Sequence, residues 1–195
     1  MSILLASGSP QRSAILTQLG LPFRVVVPEV DERDMGDPSE LAVDNARKKA
    51  DAVADQARPG ELVVACDTVV DVDGIPFGKP ETGEEAYTML ALMRGRSHDV
   101  VGGLVITHPA TGERFERAVR TKVRFRQFPE DLLERYVAGG EWEGRAGGYA
   151  IQGTGAALVS GIGGCYQNVV GLPVAMLLLT FEDIEGWDAL ARSEG

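Results

Sequence analysis

Short apolar runs interrupted by small and polar residues predict strands and helices in alternation. Residues 3–5 are apolar and are followed by Ser7-Gly8-Ser9, which predicts a short buried strand that leads into a tight loop. Ser9-Pro10 is typical of a helix start, with Ser9 capping free N–H groups and Pro10 at the first helical position. Apolar residues at helical spacing extend that helix towards Gly20. A strand, a loop and a helix N-terminus in this order direct unpaired N–H groups towards one spot.

The remaining periodic segments continue the pattern of strands and helices. Strands are predicted at 23–27, 62–66, 100–107 and 117–125, and helices at about 38–57, 83–94 and 129–137 and in the last segment, after Pro173. A turn at 109–112 joins the strands at 100–107 and 117–125, and we expect them to form a long hairpin that serves as a second lobe or a lid.

The strand predicted at 62–66 is apolar throughout, which is typical of a strand buried on both faces. It ends abruptly in Asp67-Thr68. In open α/β sheets, ligands and catalytic groups lie just beyond the carboxyl ends of the strands, and this position favours a functional role for Asp67. The alternative is that Asp67 caps a turn through its own side chain.

Several charged residues stand where the local pattern does not require them. Arg12 lies in the first turn of a helix, where a bound anion such as phosphate would make a cation favourable; otherwise it is a solvated arginine. One of Lys48 and Lys49 lies beside the apolar stripe of its helix and either extends to solvent or points at a ligand. Lys79, between Gly78 and Pro80, is either a phosphate ligand or an ordinary loop lysine.

Two further stretches carry candidate chemistry. The run 28–38 carries Glu29, Asp31, Glu32 and Asp34, whose carboxylates are either solvated or include one that faces a cleft and holds a divalent cation. The run 144–155 is rich in glycine and allows main chain to approach a flat ligand closely. Gln152 in that run offers a donor and an acceptor, which suits the edge of a nucleobase; alternatively it bonds to the backbone of its own hairpin.

The composition limits the classes of function. The chain has 195 residues, enough for one domain with a substantial core, and we expect a single domain over residues 1–195. A net charge of −10 argues against a nucleic-acid binder. Two cysteines form no disulfide framework, and no basic leader or membrane-length apolar run stands out, so we expect a cytoplasmic protein that does not associate with membranes.

Taken together and in this order, the motifs resemble the Maf family of nucleoside triphosphate pyrophosphatases over almost the whole chain. The matching segments are Leu5-Ala6-Ser7 to Ser9-Pro10-x-Arg12, Asp31-Glu32, Asn45-Ala46 to Lys49-Ala50, Ala65-Cys66-Asp67-Thr68-Val69-Val70, Gly78-Lys79-Pro80, Gly95-Arg96 to His98, Ala146 to Gly153, and Asn168 to Pro173. The resemblance implies an α/β fold of the Maf and inosine triphosphatase type, with a curved mixed sheet flanked by helices and a deep cleft between two lobes. It also implies a homodimer.

The same resemblance implies hydrolysis of a nucleoside triphosphate to the monophosphate and pyrophosphate with Mg²⁺ or Mn²⁺. By the family pattern, Asp67 accepts a proton from the attacking water, and Glu32 lies at the metal side of the cleft. The resemblance also assigns residues to the substrate. Ser7 and Arg12 would bind the phosphates, and Lys49 and Lys79 would neutralise the charge of the triphosphate. Thr68 and Gln152, together with Arg12, occupy positions that the family ties to substrate choice. Asp67 is alternatively a metal ligand, and the sequence does not separate the two roles.

The segments 150–153 and 168–173 resemble the branch of the family that acts on dTTP and UTP, so pyrimidine and modified pyrimidine nucleotides are the expected substrates. Three positions depart from the family pattern: Gln11 replaces the first of two arginines, Arg145 replaces a lysine, and Gly102 replaces a threonine. An alternative function is a nucleotide-binding regulator of septum formation with little turnover.

Overall fold

The computed structural model describes residues 2–184, so the domain predicted over 1–195 extends beyond this range at both ends. Within it the strands are β1 (Ser2–Ala6), β2 (Phe23–Val26), β3 (Glu61–Val72), β4 (Ile75–Phe77), β5 (Ser97–Thr107), β6 (Arg114–Phe125) and β7 (Val159–Gly163). The α-helices are α1 (Pro10–Gln18), α2 (Pro38–Asp51), α3 (Gly83–Met93), α4 (Glu130–Ala138), α5 (Tyr166–Val170) and α6 (Val174–Glu182).

The strands form one mixed sheet in the order β2-β1-β3-β5-β6-β7, with the short β4 pairing with the far end of β3. β1 is parallel to both β2 and β3, and the other pairings are antiparallel. The predicted hairpin is confirmed as β5 and β6, but the expectation of a lid is wrong. β5 pairs with β3 from Val63 to Asp71, so the hairpin is part of the central sheet.

The predicted end of a strand at Asp67 is also wrong, because β3 runs without interruption through Asp67 to Val72. It is the neighbouring β1 that ends, with Ala6 opposite Ala65, while β5 continues to pair on the other side with Gly103 opposite Asp67. Asp67 therefore lies just beyond the carboxyl end of a neighbouring parallel strand, and the loop after β1 opens beside it.

Helix α2 lies across β3 and β5 and brings polar side chains to this point. A Cβ atom on Gly103 would lie 2.0 Å from the carbonyl oxygen of Ala42, so only glycine lets the helix approach β5 this closely. Asn45 and Lys49 follow Ala42 at helical spacing and share its face, which points at the sheet. The helix ends at Asp51, earlier than the predicted residue 57, and a 3₁₀ turn covers Ala54–Gln56.

The hydrophobic core is divided along β3. The first half of the strand, residues 62–66, packs in clusters with β1, α1, α2 and α6. The second half, residues 70–72, packs in a separate cluster with α3, α4 and Tyr149. Asp67 and Thr68 lie on the strand between these two groups of packed residues.

Other predicted elements are confirmed to within a few residues, including β2, α3 and α4. Strand β7 was not predicted, because its sequence contains two glycines and little apolar alternation. In the described residues, no helix combines the length and the apolar character needed to cross a membrane.

Candidate active site

A cavity of about 380 Å³ lies beside the part of β3 that extends past the end of β1, next to the loop that follows β1. Every site residue predicted from the sequence lines this cavity: Ser7, Arg12, Glu32, Lys49, Asp67, Thr68, Lys79 and Gln152. They come from segments far apart in the chain. The structure thus brings them together around one space, and their individual roles remain predictions.

Asp67 is the centre of a buried polar cluster on one wall. Lys49 Nζ lies 2.6 Å from Asp67 Oδ1 and 3.0 Å from Glu32 Oε1, so a single ammonium bridges two carboxylates. Asn45 Nδ2 donates to Asp67 Oδ2 at 3.2 Å and to the carbonyl of Arg33 at 2.9 Å. Both oxygens of Asp67 are therefore held, and its carboxylate plane is fixed.

The surroundings of Asp67 keep it ionised. Burial acts to raise the pKa of its carboxyl, but the charges of Lys49 and Arg12 and the hydrogen bonds from Lys49 and Asn45 outweigh burial. The net effect lowers the pKa of Asp67 below its ordinary value of 3.8. Asp67 is a carboxylate at neutral pH, able to accept a hydrogen bond or bind a cation.

Arg12 is fixed on the adjacent wall by the loop after β1 and by α5. Its Nε donates to the carbonyl of Gly171 at 2.8 Å, and Nη1 donates to Ser7 Oγ at 2.9 Å. Nη2 donates to Thr68 Oγ1 at 3.3 Å. The guanidinium is buried and has no carboxylate partner among the described residues, so its charge is available to an anion in the cavity.

The predicted capping role of Ser9 is wrong. Its hydroxyl donates to Gln11 Oε1 at 3.0 Å and makes no bond to the N–H groups of α1. The Ser9 N–H instead donates to Ser7 Oγ at 3.1 Å, which tightens the loop. The first turn of α1 therefore faces the cavity without a side-chain cap, as an anion site requires.

Two further cations lie at the cavity wall. Lys79 is exposed and forms no ion pair within residues 2–184. Arg145 lines the cavity with its Nε buried and without a hydrogen-bond partner in the described part of the chain. Together with Arg12 and Lys49, these residues give the cavity a local positive charge in a chain whose net charge is −10.

Another part of the cavity lining has a different character. It is apolar and contains Val70, Val100, Val169 and Val170, which pack in or against one hydrophobic cluster with Tyr149. The buried hydroxyl of Tyr149 lies 2.8 Å from His98 Nε2. Gln152 also lines the cavity, with an exposed side chain. Apolar surface with one free amide suits a nucleobase more than a phosphate.

The carboxylates present fit a divalent cation that also binds a ligand. The described residues contain no group of three or more His, Cys, Asp or Glu side chains that could enclose a metal. Asp67 and Glu32 nevertheless converge on one cationic position, that of Lys49 Nζ. One or two carboxylates completed by phosphate oxygens are the usual donor set for Mg²⁺.

Sequence reasoning gave no role to two groups that shape the site. Asn45 donates a hydrogen bond to Asp67. Its position one helical turn before Lys49 was the sequence feature that could have indicated this role. The carbonyl of Gly171 holds Arg12 from a distance of 159 residues along the chain, and no local pattern identifies such a contact.

Comparisons with known proteins agree with the motifs. Residues 2–184 match the family described as Maf-like protein. The chain is 42% identical over 177 residues to a protein of Desulforamulus reducens named dTTP/UTP pyrophosphatase, covering 90% of this chain and 92% of that protein. It is 44% identical over 177 residues to a protein of the same name from Pelotomaculum thermopropionicum, with the same coverage. The solved structure of the Staphylococcus aureus Ham1 protein gives a TM-score of 0.45 at 18% identity, covering 64% of this chain and 72% of that one.

Proposed function

The chain belongs to the Maf family, and from that premise we propose that it hydrolyses dTTP and UTP to the monophosphate and pyrophosphate. The observation that carries this is the convergence of an ionised, immobilised Asp67 with Arg12 and Lys49 on one cavity. Cleaving a triphosphate between the α- and β-phosphorus atoms needs those two features, an acceptor for a proton from water and cations for the phosphate oxygens.

In this proposal the triphosphate lies along the wall made by the loop after β1 and the start of α1. Ser7 and Arg12 bind phosphate oxygens there, and the uncapped N–H groups of α1 add to the binding. Lys79 closes over the same oxygens from the exposed side. Arg12 is already held on three sides by Gly171, Ser7 and Thr68, so little side-chain entropy is lost when substrate binds.

Asp67 orients the attacking water and accepts its proton. The water oxygen forms a bond to the α-phosphorus, the bond from that phosphorus to the bridging oxygen breaks, and pyrophosphate leaves with the electron pair. Lys49 bridges Asp67 and Glu32 before substrate binds. Once the triphosphate is bound, Lys49 also interacts with the phosphate oxygens, and its interaction with Asp67 weakens. That change raises the proton affinity of Asp67 when a proton must be accepted.

Asp67 and Glu32 are the residues that would hold Mg²⁺ or Mn²⁺. When bound, the cation would neutralise charge on the phosphate oxygens and on the departing pyrophosphate. Asp67 as metal ligand and Asp67 as proton acceptor are then two roles for one carboxylate.

The preference for pyrimidines is assigned to the apolar part of the cavity lining, where Gln152 offers its amide to the edge of the base and Thr68 stands beside Arg12. The division of the core along β3 supports a two-lobed shape with the cavity as a deep cleft between the lobes. A homodimer is part of the proposal by family resemblance, and sedimentation analysis of the purified protein tests it.

The test is release of pyrophosphate from dTTP and UTP with Mg²⁺ or Mn²⁺, with dATP and 7-methyl-GTP assayed separately as comparison substrates. We expect pyrophosphate and the monophosphate in equal amounts from dTTP and UTP, no product when the metal is chelated, and much slower turnover of the two purines. Binding of dTTP without pyrophosphate release would contradict the hydrolase and favour the nucleotide-binding regulator.

A further inference from the structure

The side chain of Gln152 is positioned by its backbone alone. It is exposed, lines the cavity and forms no hydrogen bond within the described residues. A free amide is useful for reading a base only if the loop that carries it is fixed. The orientation of Gln152 therefore depends on what holds the backbone of residues 150–155.

Glu141 holds that backbone on the C-terminal side of Gln152. Its Oε1 accepts the N–H of Thr154 at 2.9 Å, and its Oε2 accepts the N–H of Gly155 and the hydroxyl of Thr154, both at 2.8 Å. These three hydrogen bonds end on one carboxylate, and charge-assisted bonds of this kind are stronger than neutral ones.

Tyr136, on α4, holds the backbone on the other side of Gln152. Its hydroxyl accepts the N–H of Ala150 at 3.1 Å. The backbone is thereby held before Gln152 by Tyr136 and after it by Glu141, which follows α4 in the chain. Neither Glu141 nor Tyr136 lines the cavity.

Gly153 shows how closely the loop fits the carboxylate. A Cβ atom at this position would lie 1.9 Å from Glu141 Oε1, so any other residue would displace the glutamate. Burial acts to raise the pKa of Glu141, but the N–H groups of Gly155 and Thr154 outweigh burial and lower it. The carboxylate is thus ionised at neutral pH, where its hydrogen bonds are strongest.

Given the proposed function, on which this assignment rests, we infer that Glu141 is a positioning residue for base selection. It fixes the loop so that the Gln152 amide meets the edge of a pyrimidine base at a set distance. A structural role limited to folding would affect all ligands of the cavity equally. A positioning role affects ligands that carry a base and leaves the triphosphate moiety unaffected.

The experiment compares Glu141→Gln with Glu143→Gln, a matched change at an exposed glutamate two residues away that makes no side-chain contact with the loop. The measured quantities are kcat/KM for dTTP and dCTP, and inhibition by inorganic tripolyphosphate, which has no base. For Glu141→Gln we expect the preference for dTTP over dCTP to fall about tenfold, because one backbone N–H of the loop loses its acceptor. Inhibition by tripolyphosphate should stay within about twofold of the unmodified protein, and Glu143→Gln should change neither quantity.

A double-mutant cycle with Gln152→Ala tests whether Glu141 acts through Gln152. We expect the Glu141→Gln change to have no further effect on the dTTP to dCTP ratio once Gln152 is truncated. Thr154→Ala is a milder variant that removes one of the three bonds, and it should shift the ratio in the same direction by less. An unchanged ratio in both loop variants, equal losses for dTTP and tripolyphosphate, or additive effects in the cycle would each overturn the assignment.

Equilibrium binding without metal separates this inference from the hydrolase itself. If the unmodified protein releases no pyrophosphate from dTTP, the proposed hydrolysis is wrong, but Glu141 can still be tested. Glu141→Gln should then weaken the affinity for dTTP and leave the affinity for tripolyphosphate unchanged. Equal dTTP affinity in the unmodified protein and the variant would reject the positioning role independently of turnover.

Discussion

We call the residues proposed to bind and hydrolyse the triphosphate the phosphate end of the cavity and the residue proposed to bind the base, Gln152, its base end; the two are held in different ways. At the phosphate end, Arg12, Lys49 and Asp67 are 9%, 6% and 7% exposed, and each is bonded to other side chains or to a carbonyl. At the base end, Gln152 is exposed and unbonded within the described residues, and the backbone on either side of it carries the hydrogen bonds.

In the proposed function, this difference follows from what each end recognises. A triphosphate is the same in every nucleotide, so the side chains that bind it can be fixed before the substrate arrives. Preorganised charge in a site with little water is the most effective way to stabilise a phosphoryl transition state. A base is recognised by its pattern of donors and acceptors, so the side chain that reads it must keep its own donor and acceptor unsatisfied until the base arrives. Changes at the two ends should therefore have different signatures.

Replacing Asp67 by Asn is the most damaging change expected at the phosphate end. It keeps the size of the side chain and removes the charge, so turnover of dTTP should fall by about 10³-fold or more while nucleotide binding is largely retained. Pyrophosphate release and calorimetric binding measure the two quantities. Asp71→Asn is the control, since Asp71 is also buried on β3 and paired with Arg120 but does not line the cavity. Near-normal turnover in Asp67→Asn would reject the proton-acceptor role.

Lys49→Met tests how the phosphate end keeps Asp67 ionised. Without the Lys49 charge, burial dominates and the pKa of Asp67 moves upward from its lowered value. The acid limb of kcat/KM should shift upward by at least about one pH unit, and turnover at pH 7 should fall about 10²-fold.

The sign of the linked stability change follows from the same pKa. In the unmodified protein, the ionised Asp67 contributes stability that is complete above its ordinary value of 3.8 and is lost as the pH falls through the lower folded value. In Lys49→Met this contribution disappears. Lys48→Met is the control, because Lys48 is exposed and its Nζ donates, among the residues that the structure describes, only to the carbonyl of Asp31. A pH profile that is identical in the two lysine variants would contradict the assigned effect of Lys49.

Gln152→Ala tests the base end and should leave the acid limb of the profile unchanged. We expect kcat with dTTP to change little, and the preference for dTTP and UTP over dCTP to fall by about tenfold, because the free amide supplies the hydrogen bonds that distinguish thymine and uracil from cytosine. Gln18→Ala, at the exposed end of α1, is the matched control. A variant that keeps the original ranking would count against Gln152 as the residue that reads the base.

The sequence predicted eight polar residues that line the cavity but not the geometry that joins them. Hydrophobic periodicity left Lys48 and Lys49 equivalent, and only the packing of α2 against Gly103 determines that Lys49 faces Asp67. Asp67 was expected beyond the end of β3, whereas the strand that ends there is β1. Strand pairing is a tertiary property, so no local pattern shows where a neighbouring strand stops.

The sequence did not indicate a role for Glu141, for a related reason. Its surroundings from Gly139 to Gly144 have the composition of a solvated turn, and the groups it binds lie 13 and 14 residues further along the chain. Motifs identify residues that face a ligand. Residues that hold those residues in place become visible only when the chain is folded.

The smallest expected effect comes from Gln11→Arg, which adds a cation at the phosphate end. Gln11 lines the cavity beside Arg12, is half-buried, and accepts a hydrogen bond from the Ser9 hydroxyl at its Oε1. A neutral hydrogen bond of this kind contributes little net stability. An arginine there should lower KM for dTTP, UTP and dATP alike by about two- to fivefold, and the gain should diminish at high ionic strength because the new contact is an exposed charge pair. The same gain for tripolyphosphate would show that it comes from the phosphates alone. A gain confined to pyrimidine nucleotides would instead mean that the two ends of the cavity are coupled through the loop after β1, and the division between them would have to be given up.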